Sequence, residues 1–253
     1  MNLSADEILI EILPLDRLVS VTRWADSSEN GNIAGRVPAS IFRIQKADLE
    51  QLVALQPDLV VVSEYTDADF LKQLETSGMR YHRIEGLATL AGIRRAIVDL
   101  GRAVGEEAAA TRLVTRFDAT LRDIERRLAG VGKPRILYWS SGMTAGADTA
   151  IGTLIEAAGA VNVGREMGLT GIVPPGSERA FVADPDAILV GTWPRAVQAV
   201  KDEPLLGKLR AVREGRIVAL PTSLLVALSQ HTAEACWRLA ALLHPDRVPA
   251  KRP

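Results

Sequence analysis

Apolar residues in this chain fall into two patterns, short unbroken runs and stretches at helical spacing. Leu59-Val60-Val61-Val62 and Ala187-Ile188-Leu189-Val190 are the clearest runs. Continuous runs of this kind fit strands of a parallel sheet that is buried on both faces. Each run is preceded by a short amphipathic stretch, DLEQLVALQPD at 48–58 and GSERAFVADPD at 176–186. Placing Glu50 on Glu178 sets Pro57 on Pro185, Asp58 on Asp186 and Tyr65 on Trp193, a constant offset of 128 residues. That period is too long for a solenoid. The pattern predicts one α/β lobe made twice.

Within each copy the acid stands near a helix start, where the positive end of the helix dipole favours it. Pro-Asp then stops the helix, because the residue before a proline is pushed out of the helical region. An aromatic follows each strand, and ligands of open α/β sheets bind beyond the carboxyl ends of the strands.

The remaining elements follow in order. SADEILIEIL at 4–13 predicts a helix capped by Ser4, with Glu7 completing a capping box and Pro14 ending it. Arg17 to Thr22 predicts a strand leading to Trp24, and the glycines, asparagines and Pro38 of 25–40 predict a loop. A helix over Asp67–Ser77 and a strand over Tyr81–Ile84 follow. From 88 to 130 apolar residues recur at helical spacing without proline, with Gly105 breaking the stretch into two helices, the second long. RILYWSS at 135–141 predicts a strand, Thr149–Ala158 a helix, 164–177 a loop, 205–213 a helix, Ile217–Leu220 a strand and Thr232–Leu243 a closing helix. The expected fold is α/β: two Rossmann-like lobes with parallel sheets joined by one long α-helix. The N-terminal lobe is 1–88, the connecting helices 89–132 and the C-terminal lobe 133–253.

One mismatch stands out. Leu154-Ile155-Glu156 repeats Leu9-Ile10-Glu11, yet the strand before the former, RILYWSS, has no counterpart before Ser4. Either the first sheet lacks a strand or the natural start lies upstream.

Composition narrows the function classes. With 253 residues, 47% hydrophobic and 24% charged, the chain is ordinary globular material. A net charge of −1 gives no reason to expect nucleic acid or an anionic membrane surface. The lone Cys236 cannot form an intramolecular disulfide. No apolar run reaches the ~18 residues of a membrane span, and no signal peptide opens the chain, which taken bluntly reads as cytosolic.

The series resembles the class III periplasmic binding proteins, which deliver cobalamin, iron-siderophores and haem to ABC importers, and among them the vitamin B12-binding members. The likeness rests on ADEILIEILPLDRLVSVTRWAD, LEQLVALQPDLVVVS, LIEAAGAVNV and LRAVREGRIVALP, in that order across the chain. The resemblance implies a binding protein, not an enzyme, with no cofactor of its own and a corrinoid or ferric siderophore as its cargo. It implies a monomer whose partners are ABC permease subunits, without nucleic acid. It also implies a periplasmic or lipid-anchored location, with a signal sequence upstream. The two lobe-surface glutamates that dock onto permease arginines correspond to Glu50 and Glu178. One such acid alone would be an ordinary first-turn residue worth a few tenths of a kcal/mol; two at matched positions favour docking.

The ligand cleft would be lined from both lobes by Trp24, Tyr65, Trp139 and Trp193, each just past a predicted strand. A ring there more often packs under a loop. Aromatics make up only 4% of the chain, so four at such ends argue for a flat, largely apolar ligand. Arg36 and Arg43 could meet an anionic ligand, though a solvated arginine is the commoner case.

Catalytic and metal signals are weak. His82, His231 and His244 are the only histidines, and of these His231 could approach the cleft. The Gly142–Gly146 stretch lacks the Gly-Lys-Ser/Thr ending of a phosphate loop. Ser140-Ser141-Gly142 is not a nucleophile elbow. The alternative class is a cytosolic two-lobed enzyme, such as a tetrapyrrole metal chelatase or nucleotide-sugar transferase.

Overall fold

The computed structural model describes residues 2–252. In chain order the first elements are α1 (Leu3–Ile12), β1 (Ser20–Thr22), β2 (Phe42–Ile44), α2 (Leu49–Leu55), β3 (Val60–Ser63), α3 (Ala68–Thr76), β4 (Tyr81–Ile84), α4 (Leu90–Val104) and α5 (Glu107–Arg127). Then come β5 (Arg135–Tyr138), β6 (Thr144–Ala145), α6 (Ala150–Ala157), β7 (Val161–Asn162), α7 (Val163–Glu166), β8 (Ile172–Val173), α8 (Ser177–Ala183) and β9 (Ala187–Gly191). The last are α9 (Ala196–Asp202), α10 (Arg210–Arg213), β10 (Ile217–Leu220), α11 (Thr222–Leu225) and α12 (His231–Leu243).

The chain forms two compact units. The first runs through Phe117 and takes back Ala227–His231; the second holds Asp118–Val226 and everything from Thr232 on. This differs from the expected division in two ways. α4 and the start of α5 belong to unit 1, where Gly101 of α4 lies so close to α5 that a Cβ there would sit 2.3 Å from the Ala110 Cβ, and α5 itself runs on from unit 1 into unit 2 as the one long helix between them. Gly105, at φ +73°, makes the turn between the two helices. The short return of 227–231 to unit 1 has no signal in the sequence.

Unit 1 contains two parallel strand pairs, β1-β2 and β3-β4. Unit 2 contains a parallel sheet ordered β10-β9-β5-β7 and a small antiparallel pair, β6-β8. The two copies agree in register: Val60 pairs with Tyr81, and its counterpart Ile188 pairs with Ile217. Their helices also end alike. Gln56 (φ 47°) and Asp184 (φ 39°), at matched positions before Pro-Asp, both adopt the left-handed conformation that closes α2 and α8. The proline thus forces its neighbour out of the helix as expected, but into the left-handed region instead of the extended one.

The core of unit 2 lies on both faces of its sheet. Ile136, Tyr138, Ala187 and Leu189 point to one side, against α6, α12 and Ile124 of α5. Leu137, Trp139, Ile188 and Val190 point to the other, against residues of α7 to α10. Cys236 and Trp237 are buried in the first cluster. Burial pushes the Cys236 thiol up to about 12, so it is a packing residue. The Trp237 indole N–H donates to the Pro249 carbonyl at 3.0 Å, and the Arg127 guanidinium lies 5.4 Å from its ring centroid. In unit 1, Ile44, Leu52, Val60, Val62, Phe70 and Leu74 form the corresponding cluster under α2 and α3.

The start of α1 departs from the expectation. Asn2 caps the helix by accepting the Ser4 N–H at 2.8 Å, so Ser4 lies inside the first turn. That frees the two acids that follow for tertiary contacts. Asp6 Oδ2 accepts both the Thr22 backbone N–H (2.9 Å) and the Thr22 hydroxyl (2.7 Å), tying α1 to β1. Glu7, 2% exposed, accepts the backbone and side-chain N–H of Asn32 at 2.9 Å each, and also the Ser229 hydroxyl. The Gln230 side chain donates to the Glu7 carbonyl at 2.7 Å.

Burial raises the Asp6 carboxyl from 3.8 to about 6. The native group therefore keeps its proton where the unfolded one has lost it. Folding takes up a proton between these values, and stability falls as pH rises from about 4 to about 6. Asp6→Asn, which retains an acceptor for Thr22, should flatten that fall, a change of about 1–3 kcal/mol across the window. Melting temperatures of both proteins from pH 4 to 7 check this; parallel curves would show that Asp6 does not titrate there. The depressed carboxylates of Asp26, Asp123 and Glu203 act in the opposite direction and at lower pH.

Candidate functional site

The repeat helices present their acids to solvent. On α2, Asp48 caps the helix by accepting the Glu50 and Gln51 N–H groups (3.0 and 3.3 Å), which leaves the Glu50 side chain exposed. On α8, Gly176 precedes the helix and Glu178 is likewise exposed. Among the described residues neither Glu50 nor Glu178 makes an ion pair. Each has apolar neighbours one turn on that are also uncovered: Val53 is 54% exposed, and Phe181 and Val182 are 39% and 82% exposed. At i+3 and i+4 these share a helix face with the acid.

The four candidate rings do not form one class. Trp24 lies in the short helical turn Arg23–Asp26 directly after β1, 44% exposed, with the Arg23 guanidinium 4.4 Å from its ring centroid. A tryptophan with a cation on one face keeps the other for a flat partner. Tyr65 follows β3 and is 75% exposed.

Trp139 is different: only 6% exposed, it packs with Leu137, Ile188 and Val190 in the core of unit 2. It reaches solvent only as one wall of a concavity of about 320 Å³ that also involves Ser141, Gly142, Pro174, Ser177 and Glu203. Trp193 is half-buried against both core clusters, its ring lying over the end of β9. A Cβ at Gly191 would come within 2.1 Å of that ring, so the glycine is what lets the indole lie flat there. Trp139 and Trp193 thus serve packing in the first place. The sequence pattern sees only that a ring follows a strand, and β5 and β9 are central strands whose ends are covered.

The arginines are engaged. Arg43 makes a bidentate pair with Asp26 (both contacts 2.9 Å) and donates to the Val37, Pro38 and Ile41 carbonyls, bracing the loop under Trp24. Asp26 is held below the usual carboxylate range by that pairing. Arg36 pairs with Glu11 at 2.6 Å.

His82 lies in β4, at a concavity of about 460 Å³ with Glu64, Arg83, Glu85, Arg95 and Asp99. His231 opens α12, its backbone N–H donating to the Ser229 hydroxyl at 3.3 Å, and His244 is buried beyond the end of α12. Among the described residues no three His, Cys, Asp or Glu side chains are grouped as a metal site. The Gly-rich loop is a fixed structure: the Gly146 carbonyl accepts from Thr149 Oγ1 (2.9 Å) and Asn162 Nδ2 (3.2 Å). No helix among the described residues is long and apolar enough to cross a membrane.

Comparison with known proteins places this geometry. The family model described as periplasmic binding protein matches residues 1–224. A cobalamin-binding protein of Halobacterium salinarum is 25% identical over 268 aligned residues, covering 98% of this chain and 69% of the relative. The apo periplasmic heme-binding protein RhuT of Roseiflexus sp. RS-1 superposes with a TM-score of 0.83 at 22% identity, covering 96% of each chain. The molybdate-bound periplasmic protein MolA of Haemophilus influenzae gives a TM-score of 0.79 at 18% identity, covering 97% of this chain and 85% of that one. At these identities the two structures establish the fold alone.

The packing of Trp193 is testable. Gly191→Ala should force the indole off β9, destabilising the protein by about 1–3 kcal/mol and shifting tryptophan emission to the red. An unchanged melting temperature and spectrum would show that the ring moves aside freely.

Proposed function

We propose that this chain, which belongs to the periplasmic binding protein family, is the substrate-binding component of an ABC importer. It captures a corrinoid, cobalamin first, or a ferric siderophore, and hands it to permease subunits. The observation that carries the transport role is the matched pair Glu50 and Glu178. They stand at the same place in a duplicated frame, both exposed and neither in an ion pair. An acid already paired within its own chain could not offer its charge to a partner. A cobalamin-binding relative aligned along nearly the whole chain supports the corrinoid. So do the exposed rings, since flat, largely apolar ligands bind to ring faces.

Trp24 and Tyr65 are the side chains we assign to ligand contact in unit 1. Trp193 contributes from unit 2 through whatever edge its packing leaves open, and Trp139 by way of its concavity. Glu50 and Glu178 are assigned to the permease. The location that goes with this role is the periplasm or, through a lipid anchor, the cell surface.

Two measurements test the reading. Cobalamin should quench tryptophan fluorescence and raise the melting temperature, because a ligand that binds only the folded state stabilises it. Trp24→Ala should weaken binding by about 1–3 kcal/mol. No response to corrinoids or to ferric siderophores would refute the cargo assignment. Separately, Glu50→Ala and Glu178→Ala should leave cargo affinity unchanged and weaken association with the permease, with the loss shrinking at high salt. The reverse result would move both acids to the ligand site.

A further inference from the structure

Trp139, the most buried of the four candidate rings, meets solvent at the hollow of about 320 Å³ in unit 2. Its indole N–H finds no acceptor among the described residues, yet it is not closed off from solvent. Ser141, Pro174, Ser177, Ala199 and Glu203 also line the hollow. A tight turn fixes one side of it. Ser140 and Met143 exchange backbone hydrogen bonds at 3.0 and 2.8 Å, which closes a two-residue turn. Ser141 (φ 49°) and Gly142 (φ 80°) are both left-handed, as such a turn requires. A serine in that conformation persists only where its surroundings hold it.

Glu203 is the one charged side chain among the described residues of the lining. It is half-buried just after α9. Its Oε2 accepts the Leu205 and Leu206 N–H groups at 3.0 and 2.6 Å, and the Ser177 hydroxyl donates to the carboxylate as well. A carboxylate has about four acceptor positions, so capacity for a further donor remains. Burial works to raise the Glu203 carboxyl. The hydrogen bonds from Leu206, Ser177 and Leu205 outweigh it and hold the group below the ordinary glutamate value, charged at neutral pH. Among the described residues no lysine or arginine pairs with it. The hollow therefore offers an unneutralised acceptor and an open indole donor.

We propose that this hollow receives one primary carboxamide arm of a corrinoid, an inference that rests on the binding role proposed above. The amide N–H donates to Glu203, the amide carbonyl accepts the Trp139 indole N–H, and the apolar stem of the arm packs on Pro174 and Ala199. Size fits a projecting group. The hollow lies at the bottom of the ~300–1,000 Å³ range for drug-sized ligands, so it takes a side arm and not the macrocycle. The chemistry sorts the cargo classes. A corrinoid is rimmed with neutral amides. A tetrapyrrole rimmed with carboxylates, or an anionic ferric chelate, sets a negative group against Glu203 and leaves its free acceptor position unmatched.

The test is isothermal titration of the whole chain at neutral pH. Cobalamin is compared with the set of its monocarboxylates, each with one amide arm hydrolysed to the acid. One of these should bind about tenfold more weakly than cobalamin, and the others about equally to it. Glu203→Gln, which replaces the charge by a group that can also donate, should abolish that penalty. Ala199→Leu, on the exposed surface of α9, should fill the hollow and weaken cobalamin itself about tenfold. Should Glu203→Gln fail to fold, the wild-type series and Ala199→Leu decide alone. Equal affinity for cobalamin and every monocarboxylate would overturn this inference and leave the binding role standing. So would a penalty that persists in Glu203→Gln, unchanged affinity in Ala199→Leu, or tighter binding of a ferric tris(catecholate) than of cobalamin. No binding of cobalamin at all would overturn this inference together with the corrinoid reading.

Discussion

A parallel strand buried on both faces must satisfy two apolar surfaces at once, and most of this structure follows from that requirement. In β5 and β9 successive side chains alternate between two clusters, one under α6 and α12 and the other under α7 to α10. Parallel neighbours cannot be joined by tight hairpins, so the chain has to cross a face of the sheet between strands, and a helix is the usual way. Every crossover leaves a loop at the carboxyl end of a strand. Trp24 and Tyr65 stand on such loops, and Trp193 stands where β9 ends. Their placement is thus a consequence of how the sheet is buried, before any question of ligand arises.

The same requirement explains which elements could be read from sequence. β3 and β9 announce themselves because burial on both sides demands an unbroken apolar run. α4, α5 and α12 do so because their apolar faces recur at helical spacing. β2 could not be read. Three residues, Phe42-Arg43-Ile44, carry no period, and the central one is an arginine whose meaning depends on Asp26, 17 residues back. The strands of the small β6-β8 pair are shorter still, and the seven-residue α9 is entered through Arg195 in the left-handed conformation, which no helix-start signal announces. The rings show the limit for sites. Tyr65 and Trp139 each stand just past a strand, yet one is 75% exposed and the other 6%. What separates them is the layer packed around each strand end, and that is a property of the assembled unit.

The start of α1 shows a second kind of illegibility. Ser-Ala-Asp-Glu at 4–7 has the form of a local capping box, and the structure spends its acids on distant partners instead. Glu7 meets Asn32, 25 residues away, and Ser229, 222 residues away. A buried carboxylate is costly unless its oxygens are matched by donors. Asn32 and Ser229 supply donors to both Glu7 oxygens, and the contact fixes the 25–40 loop and the 227–231 return to α1. Asp6 has two donors from a single residue, and its burial outweighs them, which is why its proton is held.

The two copies of the repeat have diverged unevenly, and the pattern of divergence separates structural from external demands. The left-handed residue before Pro-Asp and the strand register persist in both copies, and each has an internal reason to persist. The aromatic position has drifted from an exposed tyrosine to a tryptophan wedged over Gly191, as expected where each unit's own packing decides. Glu50 and Glu178 fit neither case. They are exposed and in no ion pair, and beyond a few tenths of a kcal/mol of helix-dipole stabilisation the fold gains little from them. Uncovered Val53 and Phe181 accompany them at matched positions, though solvent exposure of large apolar side chains gives the fold nothing. An acid and an apolar side chain repeated on both units, with no internal reason for either, make sense together if a partner carrying a cation beside an apolar surface presents the same arrangement twice.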